Sequence, residues 1–242
     1  MKTIIPKISL LLLIILILSS CKIDIKLGGI SGNRNVVTEQ RKISNNFTQI
    51  RASNGLDIYI TQDKKTTVVV EADENLQNII KTEVINGVLK IYSDKNIRRA
   101  KAKKIYVSAP SIDGVTATSG SNVVSENTLK STHFEAKSTS GANLKLIVDA
   151  TDITSKSTSG ANLRLSGQTI DYTANASSGS NTKSYDLKCK NVTVKVSSGA
   201  NIDVFASNSI IAKATSGEDI GYKGNPIKAK IKSSSGGSIS AH

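Results

Sequence analysis

One short phrase returns seven times between Asp113 and the C-terminus, and it restricts the fold more than any other feature of the chain. It first reads Thr118-Ser119-Gly120-Ser121-Asn122 and comes back at residues 139–143, 158–162, 177–181, 197–201, 215–219 and 234–238. The glycines, Gly120, Gly141, Gly160, Gly179, Gly199, Gly217 and Gly236, lie 21, 19, 19, 20, 18 and 19 residues apart. A period near twenty is a structural repeat.

The flanks of each glycine define the repeat. Seven positions before it stand Phe134, Ile153, Tyr172, Val192 and Ile210, and five before it Ala136, Ala174, Val194, Ala212 and Ile231. Four before it, Lys137, Lys156, Lys195, Lys213 and Lys232 alternate with them. Three after it come Val123, Leu144, Leu163, Ile202, Ile220 and Ile239, followed by outward Lys145, Arg164 and Lys183. Alternation of period two on both sides predicts strand, corner, strand, with the glycine supplying positive φ at the corner. A unit of this length lacks the strands of a propeller blade and the leucine pattern of a leucine-rich repeat. The expected fold is all-β: a parallel β-solenoid with rungs of about nineteen residues, stacked about 4.8 Å apart. An antiparallel sandwich is the alternative.

The N-terminus reads as an address. Lys2 and Lys7 precede an apolar run over 8–18, and Leu18-Ser19-Ser20-Cys21 matches a bacterial lipoprotein cleavage box. Residues 1–20 are expected to be a lipoprotein signal peptide, Cys21 the lipidated first residue, and 21–46 a flexible tether holding the domain off the membrane. Lys22 after the cysteine favours the outer membrane. With Cys21 lipidated, Cys189 is left alone in Leu187-Lys188-Cys189-Lys190, so no disulfide framework exists and a buried structural thiol is expected.

Residues 47–112 have a different texture. Leu56-Asp57-Ile58-Tyr59-Ile60-Thr61 and Thr67-Val68-Val69-Val70-Glu71 alternate as strands, and Asn86-Gly87 between Glu83-Val84-Ile85 and Val88-Leu89-Lys90-Ile91-Tyr92 marks a hairpin. This N-terminal β segment is expected to cap the first rung of a solenoid spanning 113–242, covering an edge that would otherwise recruit other chains.

Gly55-Leu56-Asp57 with Ile58-Tyr59-Ile60, then Val70-Glu71-Ala72-Asp73-Glu74-Asn75-Leu76, the hairpin and Val107-Ser108-Ala109-Pro110 ahead of the glycine repeats resemble the putative auto-transporter adhesin, head GIN domain family. The resemblance covers about residues 47–239; Gly55-Leu56-Asp57 departs conservatively from the family's Gly-Ile-Asn. It implies a right-handed β-helix, a role in adhesion and, as in many members, a lipoprotein of the cell envelope. It supplies no catalytic residues.

The formal charge of +13, or +11 once Lys2 and Lys7 are removed, invites a nucleic-acid reading. Aromatics make up only 4% and Trp is absent, so bases would find few stacking platforms, and no nucleic acid is expected as a partner. The lysine column is instead a candidate surface ladder for a glycan, matrix or protein ligand. Asn122, Asn143, Asn162, Asn181 and Asn201, two after the glycine, are expected to form a structural ladder of amides bonded from rung to rung. Asp152 and Asp171, eight before their glycines between His133 and Asn191, are the one pair that could share a proton or hold a cation, and the favoured reading places them at turns. The Ser/Thr row before each glycine is expected to be a plain polar face. The reading is thus a non-enzymatic, lipid-anchored binding scaffold without catalytic residues, metal or cofactor. The alternatives are a polysaccharide-acting enzyme using Asp152 and Asp171, or a purely structural periplasmic protein.

Overall fold

The computed structural model describes residues 28–215 and 217–242; the expected signal peptide over 1–20, the expected lipidation site Cys21 and the first part of the expected tether lie outside the described residues. Strands β1 (Ile30–Ser31), β2 (Val36–Gln40), β3 (Gln49–Ala52), β4 (Asp57–Gln62) and β5 (Thr67–Asp73) precede a single 3₁₀ turn over Glu74–Leu76. Strands β6 (Ile80–Ile85), β7 (Val88–Ser93), β8 (Ile97–Arg99), β9 (Lys103–Ala109) and β10 (Gly114–Ala117) follow it. Then come the long wound strands β11 (Asn122–Ser138), β12 (Asn143–Ser157), β13 (Asn162–Ser177), β14 (Asn181–Ser197) and β15 (Asn201–Thr215), and last β16 (Asp219–Lys223), β17 (Lys228–Ser234) and β18 (Ser238–Ala241).

From β10 to β18 every pairing is parallel and each rung repeats the last in register, which makes this section a parallel solenoid and not a sandwich. Each long strand has two arms. In β12, Leu144, Leu146, Val148 and Ala150 point inward along the first arm, and Ile153, Ser155 and Ser157 along the second. The even-to-odd change of phase at Thr151 marks the bend between the arms, because alternation can only reverse faces where the strand turns.

The corners are tighter than a lone glycine would make them. Ser119, Ser140, Ser159, Ser178, Ser198 and Ser235 all have positive φ, as do the glycines that follow them. Two successive positive-φ residues form a type I′ turn, closed for example by the Ser121 N–H donating to the Thr118 carbonyl at 3.1 Å. Corners also bond to one another: the Gly120 N–H donates to Ser140, Gly141 to Ser159 and Gly160 to Ser178. The left-handed serines therefore keep their carbonyls in the rung-to-rung ladder.

An eighth corner lies inside the N-terminal segment. Asn54 and Gly55 both have positive φ, β3 pairs in register with β10, and β4 pairs with β11 through Asp57↔Asn122. The solenoid thus begins at β3, and one sheet continues through β7 and β9 into the cap. There the pairing becomes antiparallel, with β5 on β9, β2 on β5 and the expected hairpin of β6 on β7. Asn86 and Gly87, both at positive φ, turn that hairpin.

The expected tether is corrected over its described part. Residues 36–40 pair with β5, and Ile30 and Ile43 pack against the core. A buried carboxylate helps hold this stretch: Asp73 accepts the backbone N–H of Arg34 at 3.0 Å, of Lys101 at 3.0 Å and of Ala102 at 2.9 Å. Arg41 adds a second fastening through Gln77 at 2.8 Å. Glycine and asparagine breaks made the segment look linker-like, but its partners lie about forty residues away, beyond the reach of local periodicity.

The core is a set of columns of stacked apolar side chains, interrupted by a small polar group. Tyr172 is fully buried, its hydroxyl 2.9 Å from Ser155 Oγ, and Ser157 Oγ meets Thr182 Oγ1 at 2.7 Å. Burial pushes the Tyr172 phenol up to about 12 despite hydrogen bonds from Ser155 and Ser184 that act the other way.

Candidate functional site

The arm that runs into each corner turns one face outward, and parallel register converts its alternation into columns. The column nearest the corner reads Lys137, Lys156, Asn175, Lys195, Lys213, Lys232. Asn175 interrupts the lysine ladder at one rung. Lys137 pairs with Glu135 at 2.6 Å, whereas among the described residues Lys156, Lys195, Lys213 and Lys232 have no carboxylate within ion-pair distance. Between this ladder and the Ser/Thr row runs an open groove of about 460 Å³, bounded by Lys156, Asn175, Lys195 and Lys213 on one side and by Ser177, Ser197 and Thr215 on the other. Ammonium groups on one wall and hydroxyls on the other provide hydrogen-bond donors without a competing acid.

The two neighbouring columns change sign along the rod. The next runs Glu135, Thr154, Thr173, Thr193, Ile211, Lys230, and the outermost His133, Asp152, Asp171, Asn191, Ser209, Lys228. All the acids of this face therefore lie on its cap-proximal rungs, and the far rungs carry only neutral and basic side chains. Lys228 and Lys230 were absent from the lysine ladder read in the sequence. Spacing to the glycine already sets Lys228 eight before Gly236, at the end of the column that holds Asp152 and Asp171, and register bears this out and sets Lys230 at the end of the column that begins at Glu135.

Asp152 and Asp171 are in-register neighbours. Each is engaged along the column: His133 Nδ1 lies 2.8 Å from Asp152 Oδ2, and Asn191 Nδ2 donates to Asp171 Oδ1 at 2.9 Å. They stand in strand at the bend between the two arms, beside the change of phase at Thr151 and its counterpart at Ile170, and their side-chain partners come from neighbouring rungs and not from local backbone. The asparagines line the other arm. Asn122 Nδ2 donates to Asp57 at 2.8 Å, Asn143 to Asn122 at 2.8 Å and Asn162 to Asn143 at 2.9 Å. Asn181 and Asn201 continue the register, and among the described residues no side-chain bond links them to it. Beside these amides runs a second groove of about 390 Å³ that includes Lys145, Arg164 and Lys183. Arg164 is paired with Asp186 at 3.0 Å, so this side is less purely basic.

Cys189 is buried, its Sγ 3.3 Å from the Leu187 carbonyl, and burial pushes its thiol up to about 12, leaving it protonated and inert at neutral pH. The Ser/Thr row bonds partly to itself, as in Ser177 Oγ donating to Thr158 Oγ1 at 3.1 Å. Sequence reading missed the stacked Tyr59 and Tyr106 rings, 5.2 Å apart; they are equivalent positions on adjacent strands, paired across a crossover that local patterns do not reveal.

These features define a class: a capped parallel β-solenoid that presents repeated polar columns along its length. The chain belongs to the family described as putative auto-transporter adhesin, head GIN domain, whose sequence profile matches residues 46–226. A putative adhesin from Bacteroides fragilis NCTC 9343 superposes with a TM-score of 0.83 at 22% identity, covering 88% of this chain and 100% of the other. A putative lipid binding protein from Parabacteroides distasonis ATCC 8503 gives 0.68 at 20% identity, covering 87% and 99%. A putative adhesin from Parabacteroides merdae ATCC 43184 gives 0.70 at 15%, covering 88% and 98%. At these identities the likeness is one of fold. No curated protein of known function matches the chain.

Proposed function

We propose that the protein is a lipid-anchored adhesin of the outer membrane, a non-catalytic scaffold that binds its partner through the outer face of the solenoid. The observation that carries this reading is the lysine column: Lys156, Lys195 and Lys213 line a groove and Lys232 continues their register on the next rung, and among the described residues none has a carboxylate to neutralise it. Weak, repeated contacts along a rod add through multivalency and need no deep pocket. Family membership supports the adhesive role, and the cleavage box ending at Cys21 supports the anchor.

Protease shaving of intact cells, with a tag after the repeats and a periplasmic control, tests the reading. Loss of the tag with survival of the control is expected; a tag that survives until the outer membrane is opened refutes outward adhesion. Cys21→Ser should release the protein from the membrane fraction. The enzymatic alternative is separated by Asp152→Asn together with Asp171→Asn, which should leave adhesion of cells unchanged. Polysaccharide cleavage abolished by that pair would replace the scaffold with an enzyme.

A further inference from the structure

The charge gradient along the outer face narrows the ligand. On the far rungs Lys195, Lys213 and Lys232 stand in one straight column with Lys228 and Lys230 beside the last of them, and no acid shares that part of the face. From Lys156 to Lys232 the column spans four rung steps, about 19 Å at strand spacing. The opposite wall of the groove offers the hydroxyls of Ser177, Ser197 and Thr215. We propose that this half of the solenoid binds a linear polyanionic glycan laid along the rod axis, a ligand class that deepens and rests on the binding-scaffold reading above. An extended acidic glycan presents anions at intervals of one to two rungs along a flexible chain, a spacing that suits Lys195, Lys213 and Lys232 on successive rungs and Lys156 two rungs before Lys195, and the hydroxyl wall meets sugar hydroxyls.

Other polyanions fit less well. A strand of duplex DNA completes a turn in about 34 Å, so over about 19 Å it rotates past half a turn and leaves a straight column. Single-stranded nucleic acid needs aromatic platforms, and none of the three outward columns contains Phe, Tyr or Trp. The described chain begins at the cap, with Val36–Gln40 paired on residues 69–73, whereas the basic rungs lie at the opposite end of the sheet, so a lipid at Cys21 would not by itself bring them to its membrane.

The test uses the full chain in detergent, with immobilised polygalacturonate and heparin as probes and neutral dextran, anionic phosphatidylglycerol vesicles and duplex DNA as comparisons. Retention on at least one acidic glycan, weakening with salt, is expected, and the two probes distinguish carboxylate from sulfate as the recognised group. Lys195→Gln, Lys213→Gln and Lys232→Gln together should weaken it about tenfold, the loss of three exposed charge contacts. The corresponding Arg triple should retain binding, and Lys145→Gln with Lys183→Gln on the other arm should change it less than about twofold. Equal loss in the other-arm variant would show a net-charge effect and overturn the proposal. So would no retention on either glycan, or tighter binding to vesicles or duplex. Surface exposure by shaving together with failure on both glycans would leave the scaffold standing and remove only this ligand class.

Discussion

Glu218 and Ala200 hold the same inward corner position on successive rungs, each preceding the paired residues Asp219 and Asn201, and both are fully buried. Equivalent positions carry Ser121, Ala142, Ala161 and Ser180, all small and buried. Among the described residues neither Glu218 carboxylate oxygen has a hydrogen-bond partner. Burying an unpaired polar group is costly, so Glu218→Ala should stabilise the fold by about 1–3 kcal/mol, read as a higher denaturation midpoint. A lower midpoint would show that the carboxylate has a partner supporting the last rungs.

The amide from Asn162 to Asn143 is one link of an exposed ladder that starts at Asp57. Asn162→Leu removes that link and places an apolar side chain in water. A loss of about 1 kcal/mol is expected, or roughly 2–4 °C in melting midpoint, with surface binding unchanged. An unchanged midpoint would show that backbone pairing alone holds this arm.

Asp73 predicts acid sensitivity at the cap. Burial works to raise its pKa, but the N–H groups of Ala102, Lys101 and Arg34 outweigh it and hold the carboxyl below its ordinary value. A depressed folded-state pKa contributes stability that is present above the unfolded value, about 3.9, and is lost as pH falls through the folded value. Denaturation curves taken at successive pH values should show this loss in the wild type. In Asp73→Asn the acid limb should be shallower, with stability at neutral pH lower by about 2 kcal/mol. An identical acid limb in the two proteins would count against the assignment.

Gly167 is required by space as well as by conformation. Its φ is +111°, and a Cβ there would sit 2.1 Å from the Val148 carbonyl oxygen, its in-register neighbour. Gly120, at φ +70°, faces nothing within 4 Å. Gly167→Ala should therefore cost about 2–3 kcal/mol and Gly120→Ala about 1–2, measured as paired unfolding free energies. Equal costs would mean that the ladder at Val148 shifts freely.

The repeat period, the inward and outward sets of each arm, the type of the cap and the Asn86-Gly87 hairpin were all legible in the chain, because alternation and turn chemistry are local properties. The eighth corner at Asn54-Gly55 was not legible as one of the series, since Asn replaces Ser and the next corner lies sixty-five residues on, far outside the nineteen-residue period. The folded course of residues 36–41 was hidden for a related reason: its anchors, Asp73 and Gln77, are distant in sequence.

The lysine residues themselves could be named from their spacing to each glycine. Their meaning could not, because spacing says which residues share a face but not which other columns flank them. Glycine spacing already puts Asn175 in the ladder and Lys228 at the end of the column of Asp152 and Asp171; the structure added that Lys137 is neutralised by Glu135 two residues back on its own strand, and that these columns stand side by side on one face and end in Lys228 and Lys230. By itself the sequence determined a stack of rungs with a wet and a dry side, since both follow from the chemistry of neighbours along the chain. Only the tertiary structure decided which charges stand next to one another across rungs, because those neighbours are made by hydrogen bonds between residues some twenty positions apart.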